Sequence, residues 1–138
     1  LRHGDVPKVI EVESINEYSE VIDNIVEAVR GNGKRSIAII TKNSHDALKL
    51  FKKLKTKSPF TLIKGKEKKL EDELIIIPSY LTKGLEFDCT IILDPSEKSY
   101  VDNILDKRLL YVSLTRALHY EYIIKLNRIT FMIKENNN

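Results

Sequence analysis

The sequence predicts an α/β fold in which a mostly parallel sheet of about six strands is covered by helices on both faces. Short uninterrupted apolar runs, such as Ser36–Thr41 and Leu74–Ile77, are typical of strands that are buried on both faces. Other segments have apolar residues three and four positions apart, the spacing of an amphipathic helix. Because the two kinds of segment alternate along the chain, βαβ units and a parallel sheet are expected.

The size and composition favour one globular domain, residues 1–138. The chain has 138 residues, of which 42% are hydrophobic, enough for one core. It begins with Leu1, so we expect it to be a fragment of a larger protein. No apolar run approaches the length of a membrane span. A single cysteine, Cys89, excludes an intramolecular disulfide and a cysteine-based metal cluster, and we expect a reducing, cytoplasmic setting.

The first strand is predicted at Lys8–Glu13, and a helix follows it. Ser14 and Glu17 have the spacing of a capping box, in which each side chain bonds a free backbone N–H at the helix start. Gly31 and Gly33 are expected to end this helix. Its apolar stripe consists of Tyr18, Val21, Ile22, Ile25, Val26 and Val29.

Gly31–Ser36 contains a Gly-Lys pair but does not fit a phosphate-binding loop. Such a loop requires a further glycine that is separated by four residues from Gly-Lys-Ser/Thr, and it lies between a strand and a helix. Here the predicted order is helix, loop, strand, and Arg35 follows the lysine. The segment is therefore predicted to be a helix stop and a turn.

The remaining elements follow from the same two patterns. Asn43 or Ser44 is a candidate N-cap for a helix over residues 45–56, and residues 94–101 resemble a loop. The expected strands are Ser36–Thr41, Phe60–Ile63, Leu74–Ile77, Thr90–Leu93 and Tyr120–Leu126, with a further helix at Leu105–Ala117.

The charge is unevenly distributed. The chain has a net charge of +3, yet the segment Lys49–Lys69 has nine lysines and one glutamate, a net charge of +8. A segment of this kind can attract phosphates. Because no aromatic residues are interleaved to stack on bases, a solvated helix face and loop is the favoured interpretation.

The segment Lys83–Phe87 is a candidate site, since Gly84 allows a tight turn or a close approach to a ligand. Lys83 and Glu86 add a cation and an acceptor beside it. The alternative is a surface turn that Leu85 and Phe87 anchor.

Arg116 is a second candidate. At the end of its predicted helix it suits the helix dipole, which would be a purely structural role. A guanidinium can also bind phosphate oxygens and stabilise charge during phosphoryl transfer. Both candidate segments are expected at the carboxyl edge of the sheet, where α/β proteins bind ligands. His3, His45 and His119 lack metal-ligand spacing, so no zinc site is expected.

Taken together, the two motifs resemble a known family. Thr82-Lys83-Gly84-Leu85-Glu86-Phe87-Asp88 is similar to motif V of the UvrD/Rep/PcrA-type superfamily-one helicases, and Leu109–Ala117 is similar to their motif VI. The whole chain resembles the second RecA-like motor domain of such a helicase, a three-layer α/β domain.

The resemblance implies roles for individual residues. Arg116 corresponds to the arginine that contacts the γ-phosphate of ATP, and Gly84 and Glu86 to the pair near the nucleotide and its sugar. Lys42 corresponds to a basic position near the DNA path, and we also predict DNA contacts by Tyr80 and Lys83. ATP and Mg²⁺ would be bound mainly by the N-terminal motor domain of the same protein, so this domain alone is expected to be inactive.

Two departures favour a particular branch. Tyr80 stands where UvrD-type proteins have a histidine that faces the DNA, and only Lys64–Asp72 occupies the position of their large insertion. Pro78–Leu81 and Leu118-His119 resemble the HelD-like branch, which includes ATPases that act on RNA polymerase. The alternatives to a DNA helicase are thus an RNA-polymerase-remodelling ATPase and a non-catalytic interaction module.

Overall fold

The computed structural model describes residues 7–65, 74–93, 111 and 115–125. Its centre is a six-stranded sheet in the order β1-β6-β5-β2-β4-β3, and every strand pair is parallel. This confirms the predicted α/β class and the number of strands. The strands are β1 (Lys8–Glu11), β2 (Ile37–Thr41), β3 (Phe60–Leu62), β4 (Leu74–Pro78), β5 (Phe87–Leu93) and β6 (Ala117–Lys125). The helices are α1 (Tyr18–Gly31) and α2 (Ser44–Lys53), with 3-10 turns at Ile15–Glu17 and Ser79–Leu81.

Strand β2 lies at the centre of the sheet and is completely apolar up to its last residue. Ile37 pairs with Leu74 of β4 on one side and with Cys89 of β5 on the other. Ile37 to Ile40 are all buried. A strand with neighbours on both sides and layers on both faces has no solvent-facing positions, which explains why it lacks an alternating pattern.

Helices α1 and α2 both pack on the same face of the sheet. Their buried residues join the inward side chains of β2, β4 and β5 in one core. The capping box predicted from Ser14 and Glu17 is present, because the Asn16 N–H donates to Ser14 Oγ at 3.1 Å and the Ser14 N–H to Glu17 Oε2 at 3.0 Å. Helix α2 is capped by Asn43, whose Oδ1 accepts from the Asp46 N–H at 2.8 Å. It ends at Lys53, three residues before the predicted end.

The opposite face of the sheet has its own core of Ala38, Ile40, Ile75, Ile77 and neighbouring residues. Within the described part of the chain, this face is covered by the segment between β4 and β5, where Leu81 and Leu85 pack on that core. The helix predicted to form the second helical layer, Leu105–Ala117, lies largely outside the described residues.

The predicted position of the C-terminal end of that helix, Ala117, is wrong. The Thr115 N–H donates to the Tyr111 carbonyl at 3.0 Å, a helical bond. However, Thr115 and Arg116 form a turn, and Ala117 already belongs to β6. The reason is tertiary, because Phe87 of β5 pairs with Ala117. The same pairing starts both β5 and β6 three residues earlier than predicted.

The residues described contain no helix that is long and apolar enough to span a membrane. Cys89 is buried in β5, and burial raises the pKa of its thiol to about 12. A thiol that stays protonated is a poor nucleophile and metal ligand, which agrees with the expectation that Cys89 is inert.

Candidate functional site

The first predicted motif lies on the connection that returns the chain from the carboxyl end of β4 to the amino end of β5. Thr82 is fully buried, and its Oγ1 donates to the Ser79 carbonyl at 2.7 Å. The Leu85 N–H then donates to the Thr82 carbonyl at 2.8 Å, which closes a four-residue turn. Gly84 is the third residue of this turn with φ +79°, as a type II turn requires. The predicted conformational role of Gly84 is therefore confirmed.

Glu86 and Arg116 each immediately precede a strand at the amino-terminal edge of the sheet. Phe87 and Ala117 are register partners, and the Phe87 N–H donates to the Arg116 carbonyl at 2.9 Å. Adjacent strands lie about 4.8 Å apart, so the backbones of these two residues are neighbours.

This placement contradicts the prediction that both motifs lie at the carboxyl edge. Because β4 and β5 are parallel and separated by β2, the connection between them must cross the sheet and end at the opposite edge. The motif begins at the carboxyl edge and finishes at the amino edge.

The Arg116 side chain is half-buried and lacks a protein partner among the described residues. Its Nε is buried without a hydrogen bond. An unsatisfied buried donor costs stability unless something binds it. Glu86, which precedes the backbone partner of Arg116, is exposed, as is Gly84, and a Cβ built on Gly84 would meet nothing within 4 Å. The amino edge thus has an exposed carboxylate whose backbone lies beside that of an arginine with an unpaired Nε.

Asp88 was quoted within the first motif but assigned no role, and it organises the amino edge. Its Oδ2 accepts from the backbone N–H groups of Arg35 and Ser36 at 2.9 and 3.1 Å, and its own N–H donates to Ser36 Oγ at 2.8 Å. Its Oδ1 lies 3.9 Å from His119 Nε2. Burial alone would raise the pKa of Asp88, but the hydrogen bonds from Arg35 and Ser36 outweigh it, and the net shift is downward.

The hydrogen bonds to Asp88 also test the interpretation of the loop after α1. The N–H groups of Arg35 and Ser36 bind a carboxylate of this chain. The loop is preceded by a helix and followed by a strand. Both findings agree with the rejection of a phosphate-binding loop. The aspartate that ends the motif was the only sequence signal for this contact.

Lys42 and Tyr80 lie at the other edge of the sheet. Thr41 pairs with Pro78, so the residues that follow them emerge side by side at the carboxyl end. The Tyr80 hydroxyl lies 3.0 Å from Ser44 Oγ at the start of α2, and 60% of Tyr80 is exposed. Lys83 is exposed in the next turn.

The sequence-predicted residues therefore form two groups. At about 3.3 Å per residue, the strands place roughly 25 Å between Lys42 at one edge and Glu86 at the other. No group of three or more His, Cys, Asp or Glu side chains that could hold a metal ion occurs within the described ranges.

Glu121 is a buried carboxylate that sequence reasoning missed. It pairs in register with Thr90, and both residues are buried at the face opposite α1 and α2. Within the described part of the chain, the two carboxylate oxygens of Glu121 and the hydroxyl of Thr90 have no hydrogen-bond partner. Burial raises the pKa of Glu121 to about 7. The apolar neighbours Tyr122, Ile123 and Ile124 concealed this residue within a strand pattern.

Comparisons with known proteins agree with this geometry. Residues 74–124 match the family model of the UvrD-like helicase C-terminal domain, and this segment includes both motifs. The fold is similar to the crystal structure of the C-terminal domain of a possible DNA helicase from Lactobacillus plantarum WCFS1. The sequence identity is 27% and the TM-score is 0.81, over 96% of this chain and 81% of that one. No curated protein matches the chain.

Proposed function

We propose that this chain is the C-terminal, second RecA-like motor domain of an ATP-dependent DNA helicase or translocase. The match of residues 74–124 to the UvrD-like helicase C-terminal domain supports a helicase motor domain. The likeness to the Lactobacillus plantarum domain extends that support to nearly the whole chain.

One observation supports this function most strongly. The backbones of Glu86 and Arg116 are neighbours at the start of two adjacent parallel strands, and the Arg116 Nε is buried without a partner among the described residues. An arginine beside a residue with an exposed carboxylate, two positions after a glycine turn, suits an anionic ligand with a hydroxylated sugar. In this proposal ATP lies between the two motor domains of the parent protein.

Each residue then has a distinct task. Arg116 neutralises charge that develops on the transferred phosphoryl group, Glu86 accepts a hydrogen bond from the sugar, and Gly84 keeps the approach open. The N-terminal motor domain would hold most of the nucleotide and the Mg²⁺ ion, which would supply positive charge against the phosphates. Lys42, Tyr80 and Lys83 contact the nucleic acid, so movement of this domain relative to the N-terminal motor domain couples hydrolysis to translocation.

Tyr80 favours a second candidate, a HelD-like ATPase that remodels RNA polymerase. Its hydroxyl contacts Ser44, so the aromatic ring is held at the start of α2. A ring fixed in this way suits a protein surface as well as a DNA base. A non-catalytic module is disfavoured because the Arg116 and Glu86 pair is intact.

The experiment that tests the proposal uses the full-length parent protein. We expect it to separate a tailed DNA duplex with ATP and to fail with a non-hydrolysable analogue. Release of stalled RNA polymerase without strand separation would favour the second candidate. The isolated chain should bind ATP weakly, and tight binding with turnover by this chain alone would contradict the two-domain site.

A further inference from the structure

A cavity of about 810 Å³ opens at the carboxyl edge, between the start of α1 and the inner side of α2. Its base is formed by the ends of β2 and β5, through Ile40 and Leu93. The volume is within the range of sites that bind a small molecule or a few side chains. The cavity lies away from Glu86 and Arg116.

Charge around this cavity has one dominant sign. Its lining includes the lysines Lys42, Lys49, Lys53 and Lys55 and a single carboxylate, Asp46. Lys49 and Lys53 are four residues apart on α2, so their side chains start about 6 Å from each other on one face. The described part of the chain shows no ion pair to Lys49, Lys53 or Lys55.

The floor between these lysines is aliphatic. Leu50, Leu54 and Leu93 line it, and Ile15 stands at its rim with 49% of its surface exposed. Exposed apolar surface rimmed by charge is typical of an interaction site. Tyr18 is the sole aromatic residue in the lining.

We propose that the part of this cavity lined by Lys49, Lys53 and Lys55, together with its aliphatic floor, docks an acidic peptide of a partner protein whose aliphatic side chains enter the floor. We call this part the lysine pocket, and Lys42, which belongs to the proposed nucleic-acid contacts, is not included in it. Carboxylates at helical spacing on the peptide would meet the row formed by Lys49 and Lys53. Leucine-like side chains of the peptide would cover Ile15 and Leu50. This burial of apolar surface would add binding energy that charge contacts alone do not provide.

The aliphatic floor favours a peptide over nucleic acid. Single strands bind through phosphate contacts combined with stacking of bases on aromatic side chains. The lysine pocket has the cations, but its floor consists of branched aliphatic side chains instead of aromatic rings. The basic segment identified in the sequence thus contributes three of its lysines to one site.

The test measures fluorescence anisotropy of a labelled peptide of glutamates and leucines at helical spacing, titrated with the 138-residue chain. The test variant is Lys49→Glu with Lys53→Glu. The matched control is Lys52→Glu with Lys57→Glu, which makes the same charge change at exposed lysines outside the lining. Circular dichroism of each variant verifies folding.

We expect the test variant to weaken binding at least about tenfold, with the control within about threefold. Replacing the peptide's leucines by serines, or Ile15 by serine in the protein, should also weaken binding. Equal losses in both variants would mean non-specific charge attraction and would overturn the proposal. Tighter binding of an oligothymidylate of matched charge, with the same sensitivity to Lys49→Glu and Lys53→Glu, would assign the pocket to nucleic acid instead. Self-association that the test variant abolishes would also overturn it.

Discussion

At the scale of single residues, the unusual feature is a buried carboxylate without a hydrogen bond from the described part of the chain. Glu121 is 5% exposed, faces Thr90 across the β5–β6 pair, and receives no hydrogen bond from any residue that the structure describes. A charge in such surroundings is unfavourable, and the side chain responds by holding its proton to a higher pH. We therefore expect this residue to make the stability of the domain depend on pH.

The predicted dependence follows from the raised pKa of Glu121. The rise from 4.5 to about 7 means that the contribution of Glu121 to stability is most favourable below pH 4.5 and is lost as the pH rises through 7. The total penalty is at most about 3 kcal/mol. Urea unfolding of the wild type and Glu121→Gln at pH 5 and pH 8 measures it. The free energy of unfolding of Glu121→Gln, relative to that of the wild type, should be higher at pH 8 than at pH 5. If the difference in unfolding free energy between variant and wild type is the same at pH 5 and pH 8, the pKa of Glu121 is not raised.

Gly84 and Arg116 illustrate what single residues do and do not disclose in a sequence. A glycine inside a polar turn predicts a positive φ, and φ of Gly84 is +79°. This prediction succeeds because the requirement of the turn for a positive φ is local. The conformation of Arg116 depends on pairing of its carbonyl with Phe87, far away along the chain. Helical periodicity contains no information about that partner, which is why the helix was predicted to continue through Arg116.

At the scale of elements, Asp88 ties the loop after α1 to the start of β5. Its hydrogen bonds with Arg35 and Ser36 join the loop between α1 and β2 to β5 at the amino edge. Hydrogen bonds from backbone N–H groups to a carboxylate contribute more than neutral ones. The loop is thereby held beside the strand that follows Glu86.

Asp88→Ala should therefore lower the free energy of unfolding by roughly 2 kcal/mol. It should also speed hydrogen exchange at the Arg35 and Ser36 amides, which lose their acceptor. Asp23→Ala is the matched control, since Asp23 Oδ1 accepts from the Lys57 N–H at 2.9 Å at a different place. The control should affect exchange at Lys57 alone. Unchanged exchange at Arg35 and Ser36 in Asp88→Ala would show that the contact is not formed in solution.

The elements also show where sequence analysis succeeds. The capping box of Ser14 and Glu17 and the buried strands β2 and β4 were predicted because each pattern is local. The edge at which Glu86 lies was predicted wrongly. The rule for carboxyl edges applies to a loop directly after a strand, whereas the segment from Ser79 to Glu86 crosses the sheet. That path depends on the strand order, with β2 between β4 and β5, which no local pattern reveals.

At the scale of the whole molecule, the sheet separates two kinds of contact. Lys42 and Tyr80 are at the carboxyl edge, and Glu86 and Arg116 at the amino edge. Parallel strands in a rigid, apolar sheet connect the two edges. In the proposed motor, nucleotide is bound at one edge and nucleic acid at the other, so each function should be separable by mutation.

The most direct measurement of this central claim is made on the full-length parent with Arg116→Ala. ATP turnover and the Kd for single-stranded DNA are determined on the same preparation. The matched control is Arg30→Ala, another half-buried arginine whose Nε is unpaired but which lies on α1. We expect turnover to fall by about 10³ or more in Arg116→Ala alone, while the Kd stays within about twofold of the wild type. Unchanged turnover, or a loss of DNA affinity as large as the loss of turnover, would contradict a nucleotide site at the amino edge.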